Sequence, residues 1–131
     1  MERGQGLMLS GRVHPAEAYR QVEFDARVHG ASQQELVWIC FEQLTGALGT
    51  AIHAHEIGDP QLRSRSLSRA VSSLLALEMG LSGDDPVVLA MRDLYSRARS
   101  SILSCAVDFN AERLDHIRRD FVDIHAALSG G

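Results

Sequence analysis

The sequence has few aromatic residues, few cysteines and no excess of positive charge. Aromatic side chains make up 5% of the 131 residues, and the two cysteines, Cys40 and Cys105, form no Cys-x-x-Cys pair. Two unpaired cysteines within apolar helical patterns exclude a disulfide framework and favour the cytosol as the compartment. The formal net charge of −4 argues against nucleic-acid binding, because that function needs a basic stripe.

Long apolar runs and strand patterns are also missing. The first residues contain no apolar core long enough for a signal peptide, and no run approaches the roughly 20 residues of a membrane span. We therefore expect no membrane insertion. No segment shows sustained alternation of apolar and polar residues, whereas apolar residues recur at helical spacing along most of the chain. The sequence predicts an all-α fold.

Start and stop signals divide the chain into four long helices. A capping box or N-cap begins each helix, and glycine-containing turns end two of them. In chain order the start signals are Ser32–Glu35, Asp59–Pro60, Asp85–Pro86 and Asn110, and the stops are Gly58 and the turn at 82–84. Short linkers predict an antiparallel four-helix bundle. We expect a flexible segment at 1–14 and a single bundle domain at 15–131, with a short extra N-terminal helix beginning near Pro15.

Each helix carries an apolar seam for the bundle core. The predicted seams are Val37, Cys40, Phe41, Leu44, Leu48, Ala51 and Ile52; Leu67, Ala70, Val71, Leu74, Leu77 and Leu81; Val88, Met91, Leu94, Tyr95, Ala98, Ile102 and Cys105; and Leu114, Ile117, Phe121, Ile124 and Leu128. The first long helix has more apolar surface than a seam requires, because six apolar residues occur in succession at 36–41. We expect Leu36, Trp38 and Ile39 to lie partly outside the bundle. A neighbouring segment, a second copy or another protein must cover them.

Signals for catalysis and cofactors are weak. The six histidines include no Glu-x-x-His pair of the kind that helical di-metal sites use, and no glycine-rich phosphate loop is present. We expect no enzyme activity, no metal and no cofactor. His116, followed by Arg119, allows a histidine phosphotransfer domain as a distant alternative, although the charge of Asp120 would oppose phosphate. Arg63, Arg65 and Arg69 are interpreted as a solvated face.

Four short motifs follow one another along the chain. They are Ala18-Tyr19-x-x-Val22, Ala31-Ser-Gln-Gln-Glu-Leu-Val37, Ser66-Leu-Ser-Arg-Ala70 and Leu94-Tyr95. In this order and spacing they resemble the motifs of the FliS-type flagellin export chaperones. The resemblance covers residues 16 to 128. Two positions depart from the family pattern. Cys40-Phe41-Glu42-Gln43 replaces Leu-Tyr/Phe-Asp-Gly, and Leu128 stands where a tryptophan often closes the last helix. These changes concern the choice of partner more than the fold.

The resemblance implies a cytosolic export chaperone. Such a protein binds the disordered C-terminal segment of flagellin, orders it as helices on an apolar groove, prevents premature polymerisation and supports type III export, with an export-gate component as a further partner. It also implies that Tyr19 and Val22 cover part of the groove in the free protein. The candidate groove residues are Leu36, Ile39, Cys40, Leu44 and Leu48, with Leu67, Val71, Leu74 and Tyr95 on adjacent helices. A homodimeric structural or regulatory bundle is the alternative.

Overall fold

The computed structural model describes residues 29–130. Four helices of 20 to 24 residues occupy most of this range: α1 (Gln33–Glu56), α2 (Pro60–Met79), α3 (Pro86–Val107) and α4 (Ala111–Gly130). No strand occurs between residues 29 and 130, and the all-α prediction is confirmed. The predicted flexible segment and extra N-terminal helix lie outside the described residues.

The described residues belong to two units, 29–36 and 37–130. In the first unit, the predicted capping box begins α1. The Ser32 backbone N–H donates to Glu35 Oε1 at 2.8 Å, and the Glu35 N–H donates to Ser32 Oγ at 3.2 Å. These bonds lower the pKa of the Glu35 carboxyl, first through the Ser32 backbone and then through its hydroxyl. The reciprocal pair satisfies two donors that the first helical turn leaves free.

The second unit contains the rest of α1 and the other three helices. Asp59 accepts a hydrogen bond from the Leu62 N–H, Asp85 accepts from two N–H groups of its helix, and Asn110 accepts from the Arg113 N–H, each at 3.0 Å. These residues are the predicted caps of α2, α3 and α4. Gly58 and Gly83, with φ of 71° and 89°, adopt the left-handed conformation in the predicted turns, which glycine tolerates without a Cβ clash.

Ring contacts establish the directions of the helices in the second unit. Phe41 contacts Tyr95, and His55, later in α1, contacts Phe109, just beyond the end of α3. Residue numbers rise together in these pairs, so α1 and α3 run in the same direction. Phe41 also contacts His125 near the end of α4, so α1 and α4 run in opposite directions. With short linkers at 57–59, 80–85 and 108–110, this is the predicted antiparallel four-helix bundle.

The core of the second unit follows the predicted seams closely. Its largest fully buried side chains are Phe41, Leu44, Leu48, Leu74, Ile102, Cys105, Leu114 and Phe121. The seam prediction for Leu128 is wrong, since this side chain is 52% exposed. Ile124, one turn earlier, is the last α4 seam residue that packs against the core cluster, so Leu128 lies past the end of the core.

Within residues 29–130, none of the helices combines the length and apolar character that crossing a membrane requires.

Candidate helix-binding groove

A groove lies between α2 and α3. Its cavity volume is about 380 Å³, within the range of pockets that hold ligands. The residues that line it repeat at helical spacing, so one face of each helix forms a wall. They are Pro60, Arg63, Ser64, Leu67, Ser68, Val71 and Ser72 on α2, and Ile102, Leu103 and Ala106 on α3.

The base of the groove is apolar. Leu67 and Ile102 are buried, Val71 is half-buried, and Leu103 is 49% exposed at the α3 edge. Leu75, four residues beyond Val71 on α2, is also exposed and continues the apolar strip toward the end of the helix. This surface can bury apolar side chains of a partner, and burial of such surface is the main driving force of association.

Three serines form a small-residue stripe along the α2 wall. Ser64, Ser68 and Ser72 are spaced one helical turn apart, and all three are exposed. Side chains this small leave room for a second helix to approach the α2 backbone closely. The shape of the groove therefore suits an elongated helical ligand.

Arg63 provides a fixed positive charge at one end of the groove. Its guanidinium Nη1 lies 3.1 Å from His55 Nδ1, and its Cζ lies 5.4 Å from the centroid of the Phe109 ring. The His55 and Phe109 rings stack with centroids 4.2 Å apart. Because arginine only donates hydrogen bonds, Nδ1 of His55 is the acceptor. Arg63 forms no ion pair with a carboxylate within residues 29–130.

A pair of opposite charges joins α2 to α3. Arg99 of α3 donates to both carboxylate oxygens of Glu78 of α2, from Nε at 2.7 Å and from Nη2 at 3.0 Å. The hydrogen bonds from Arg99 and the charge of Glu78 raise the pKa of Arg99 further. This bidentate pair ties α2 to α3. Neither of its residues lines the groove, and Arg63 is the charged residue of the described lining.

The predicted contact residues are distributed over several environments. Leu67 and Val71 line the groove. Leu44, Leu48, Leu74 and Tyr95 belong to the core cluster, and burial, followed by the charge of Cys40, raises the pKa of Tyr95 to about 12. A closed bundle does not offer these four side chains to a partner. Whether they contact flagellin stays a prediction.

The remaining candidates lie near or before the start of α1. Leu36 and Cys40 are half-buried, and Ile39 is 5% exposed. Ile39 is buried but is absent from the core cluster, so its expected place partly outside the bundle stays a prediction. Trp38 is half-buried and packs against the core cluster. Tyr19 and Val22 lie outside the described residues.

Sequence reasoning missed most of the groove. It interpreted Arg63, Arg65 and Arg69 as a solvated face, but all three are half-buried. Nε of Arg65 is buried and has no hydrogen-bond partner in the described part of the chain, and burial lowers the pKa of Arg69. The stripe of Ser64, Ser68 and Ser72 was the available signal, because its one-turn spacing marks a helix face that admits close approach.

Neither a metal site nor phosphotransfer through a histidine gains support from the described residues. No group of three or more His, Cys, Asp or Glu residues there is placed to hold a metal ion. His116 is exposed, and its Nε2 lies 3.5 Å from Asp120 Oδ2. A carboxylate at this distance repels a phosphate from the ring.

The fold and the groove define a helical-bundle protein with a surface suited to a helical ligand. Comparison with known families matches residues 15–128 to FliS, described as flagellar protein FliS. The chain therefore belongs to the FliS family, and membership implies a flagellar export chaperone. A search of curated proteins finds no match.

Proposed function

We propose that the protein binds the disordered C-terminal segment of flagellin in the cytosol and orders it as helices on the bundle. The observation that carries the proposal is the apolar groove between α2 and α3, which includes Leu67 and Val71 from the predicted contact set. The family match over residues 15–128 supports a role in the flagellar system. An export-gate component is the expected second partner.

The binding mechanism follows from the character of the groove. A disordered segment loses conformational entropy when it becomes helical, and the burial of its apolar stripe against Leu67, Val71 and Leu103 offsets that cost. The same stripe would drive subunit association if it were left exposed. Covering it prevents premature polymerisation, and the entropy cost limits the affinity, so that the segment can be released for export.

Titration calorimetry with the C-terminal segment of a flagellin from the same source tests the proposal, with helicity followed in parallel by circular dichroism. We expect binding near one to one, a negative heat-capacity change and a gain in helix content. No heat and no gain in helicity with several flagellins from that source would reject it. Light scattering on the free protein then tests the homodimeric bundle.

A charge placed in the groove provides a matched pair of variants. Val71→Glu puts a carboxylate on the apolar base and is expected to weaken binding at least tenfold, because the bound segment would bury that charge. Val122→Glu is the control, since Val122 is 43% exposed on α4 and is absent from the groove lining. Equal affinities of the two variants would place the binding surface elsewhere.

A further inference from the structure

We infer that the groove between α2 and α3 fixes the direction of its ligand. The bound helix runs antiparallel to α2, and a carboxylate at its C-terminal end pairs with Arg63. The inference rests on the proposed function for the presence of a helical ligand. It adds the orientation of that ligand and the group that its C-terminal end must carry.

The first step of the argument is that Arg63 is held in place before any ligand binds. The His55 imidazole accepts from Nη1 at 3.1 Å, and the Phe109 ring lies beneath the guanidinium with 5.4 Å between Cζ and the ring centroid. These two neighbours come from the end of α1 and from the linker after α3. A side chain that is already ordered loses less entropy when it forms an ion pair.

The second step is that the Arg63 guanidinium has no anionic partner among the described residues. The nearest carboxylate in sequence, Asp59, caps α2 by accepting from the Leu62 N–H and forms no ion pair with Arg63 within the described residues. His55 and Phe109 are uncharged partners when the imidazole accepts this hydrogen bond. A planar guanidinium matches a carboxylate with two parallel hydrogen bonds.

The third step gives the direction. Arg63 lies in the first turn of α2, at the end of the groove that Pro60 and Ala106 also line. The C-terminal end of a helix carries a partial negative charge and free carbonyl groups, and cations there are stabilising. A ligand helix therefore places its C-terminal end beside Arg63. Its remaining length follows the serine stripe from Ser64 to Ser72 toward exposed Leu75, so it runs antiparallel to α2.

The carboxylate has two sources, an Asp or Glu in the last turn of the bound helix or the terminal carboxylate of the chain. Three synthetic forms of the flagellin C-terminal segment separate them: the free acid, the C-terminal amide, and a form with the last-turn acidic residues replaced by their amides. We expect wild-type protein to bind one of the two neutralised forms about tenfold more weakly than the free acid.

Arg63→Gln is the matching variant of the protein. It is expected to bind the free acid about tenfold more weakly than wild type and to lose the discrimination between the acidic and neutral forms. Arg97→Gln is the control, because Arg97 is exposed on α3 and pairs with Asp93 of its own helix. The neutral peptides test the ion pair on wild-type protein, so the result does not depend on the folding of the variant.

Disulfide trapping tests the direction. Ser64→Cys is expected to trap a cysteine at the C-terminal end of the peptide, and Ser72→Cys a cysteine farther toward its N-terminal end. The reverse pattern would overturn the assigned direction, and equal binding of all peptides by wild type and Arg63→Gln would overturn the ion pair. Either result leaves the proposed function standing, whereas no binding of the free acid by wild-type protein rejects the function itself.

Discussion

The indole of Trp38, near the start of α1, stacks on the imidazole of His125, near the end of α4. The ring centroids are 4.8 Å apart and the planes are inclined by 27°. Phe41, one turn further along α1, contacts both rings. Its centroid lies 6.1 Å from that of Trp38 in a T-shaped contact and 5.3 Å from that of His125 in a tilted contact. The three rings tie α1 to α4 beside the core.

Removing the His125 ring is therefore expected to loosen this end of the bundle. His125→Ala should lower the free energy of unfolding by about 0.5–1.5 kcal/mol, the usual range for an aromatic pair. Trp38 is the only tryptophan, so its emission in the folded state should also change. Urea unfolding followed by fluorescence and circular dichroism measures both effects. His116→Ala, an exposed position on the same helix, should leave both unchanged; identical behaviour of the two variants would contradict the importance of the stack.

Ser66 contains a buried hydroxyl that makes no hydrogen bond within residues 29–130. Ser73, one heptad later on α2, is also buried, but its hydroxyl donates to the Arg69 carbonyl at 3.0 Å. Because a buried polar group without a partner costs free energy, Ser66→Ala should raise the free energy of unfolding by about 1 kcal/mol. Ser73→Ala should give no such gain. Chemical denaturation of the two variants makes the comparison, and a loss of stability in Ser66→Ala would show that the hydroxyl has a partner in solution.

Asp115 is expected to stabilise the folded state at neutral pH and to lose this effect in acid. Hydrogen bonds from Arg118 at 2.8 and 3.0 Å, together with the charges of Arg118 and Arg119, lower the pKa of its carboxyl. A lowered pKa in the folded state gives stability that is present above the ordinary value of about 3.9 and is lost as the pH falls through the lowered value. Wild-type protein should therefore lose thermal stability below about pH 4 more steeply than Asp115→Asn. Melting temperatures across this range measure the difference, with Asp123→Asn as the exposed control on the same helix. Parallel curves for wild type and Asp115→Asn would exclude this contribution.

The ends of the helices could be predicted from the sequence because their chemistry is local. Ser32 and Glu35 are three residues apart, and Asp59 and Asp85 each cap the turn that immediately follows them. The seams were predictable for a similar reason, since the helical period determines which side chains share a face. The seam prediction is wrong for Leu128 because the helical period of the sequence does not show where the neighbouring helices end.

The groove was not predictable in the same way because tertiary contacts create it. Arg63 depends on Phe109, which lies beyond the end of α3 and far away in sequence. A mixture of serine and arginine on one helix is compatible with a solvated face and with a groove wall alike. Only the position of the neighbouring helices distinguishes them: Arg63 lines the groove, whereas Arg65 and Arg69 do not.

Cys40 offers a chemical probe of the proposed flagellin contacts. Burial raises the pKa of its thiol, so less reactive thiolate is present at neutral pH. We expect slow labelling of half-buried Cys40 and no labelling of Cys105, which is 1% exposed, until the protein unfolds. If Cys40 contacts the ligand, adding the flagellin segment should slow its labelling further. Mass spectrometry of the labelled peptides follows both residues. An unchanged rate at saturating segment would remove Cys40 from the contact set.

Substitution of Tyr19 tests whether this side chain covers part of the flagellin surface or belongs to the core. If it occupies part of the flagellin surface in the free protein, Tyr19→Ala should change the affinity for flagellin, because a competing group has been removed. The helix signal and the melting temperature should then stay close to those of wild type. Calorimetry, circular dichroism and thermal melting on the same preparation make the comparison, and Tyr19→Phe keeps the ring as a control. A large fall in melting temperature would instead make Tyr19 part of the core, since only a ring that stabilises the folded state lowers that temperature when it is removed.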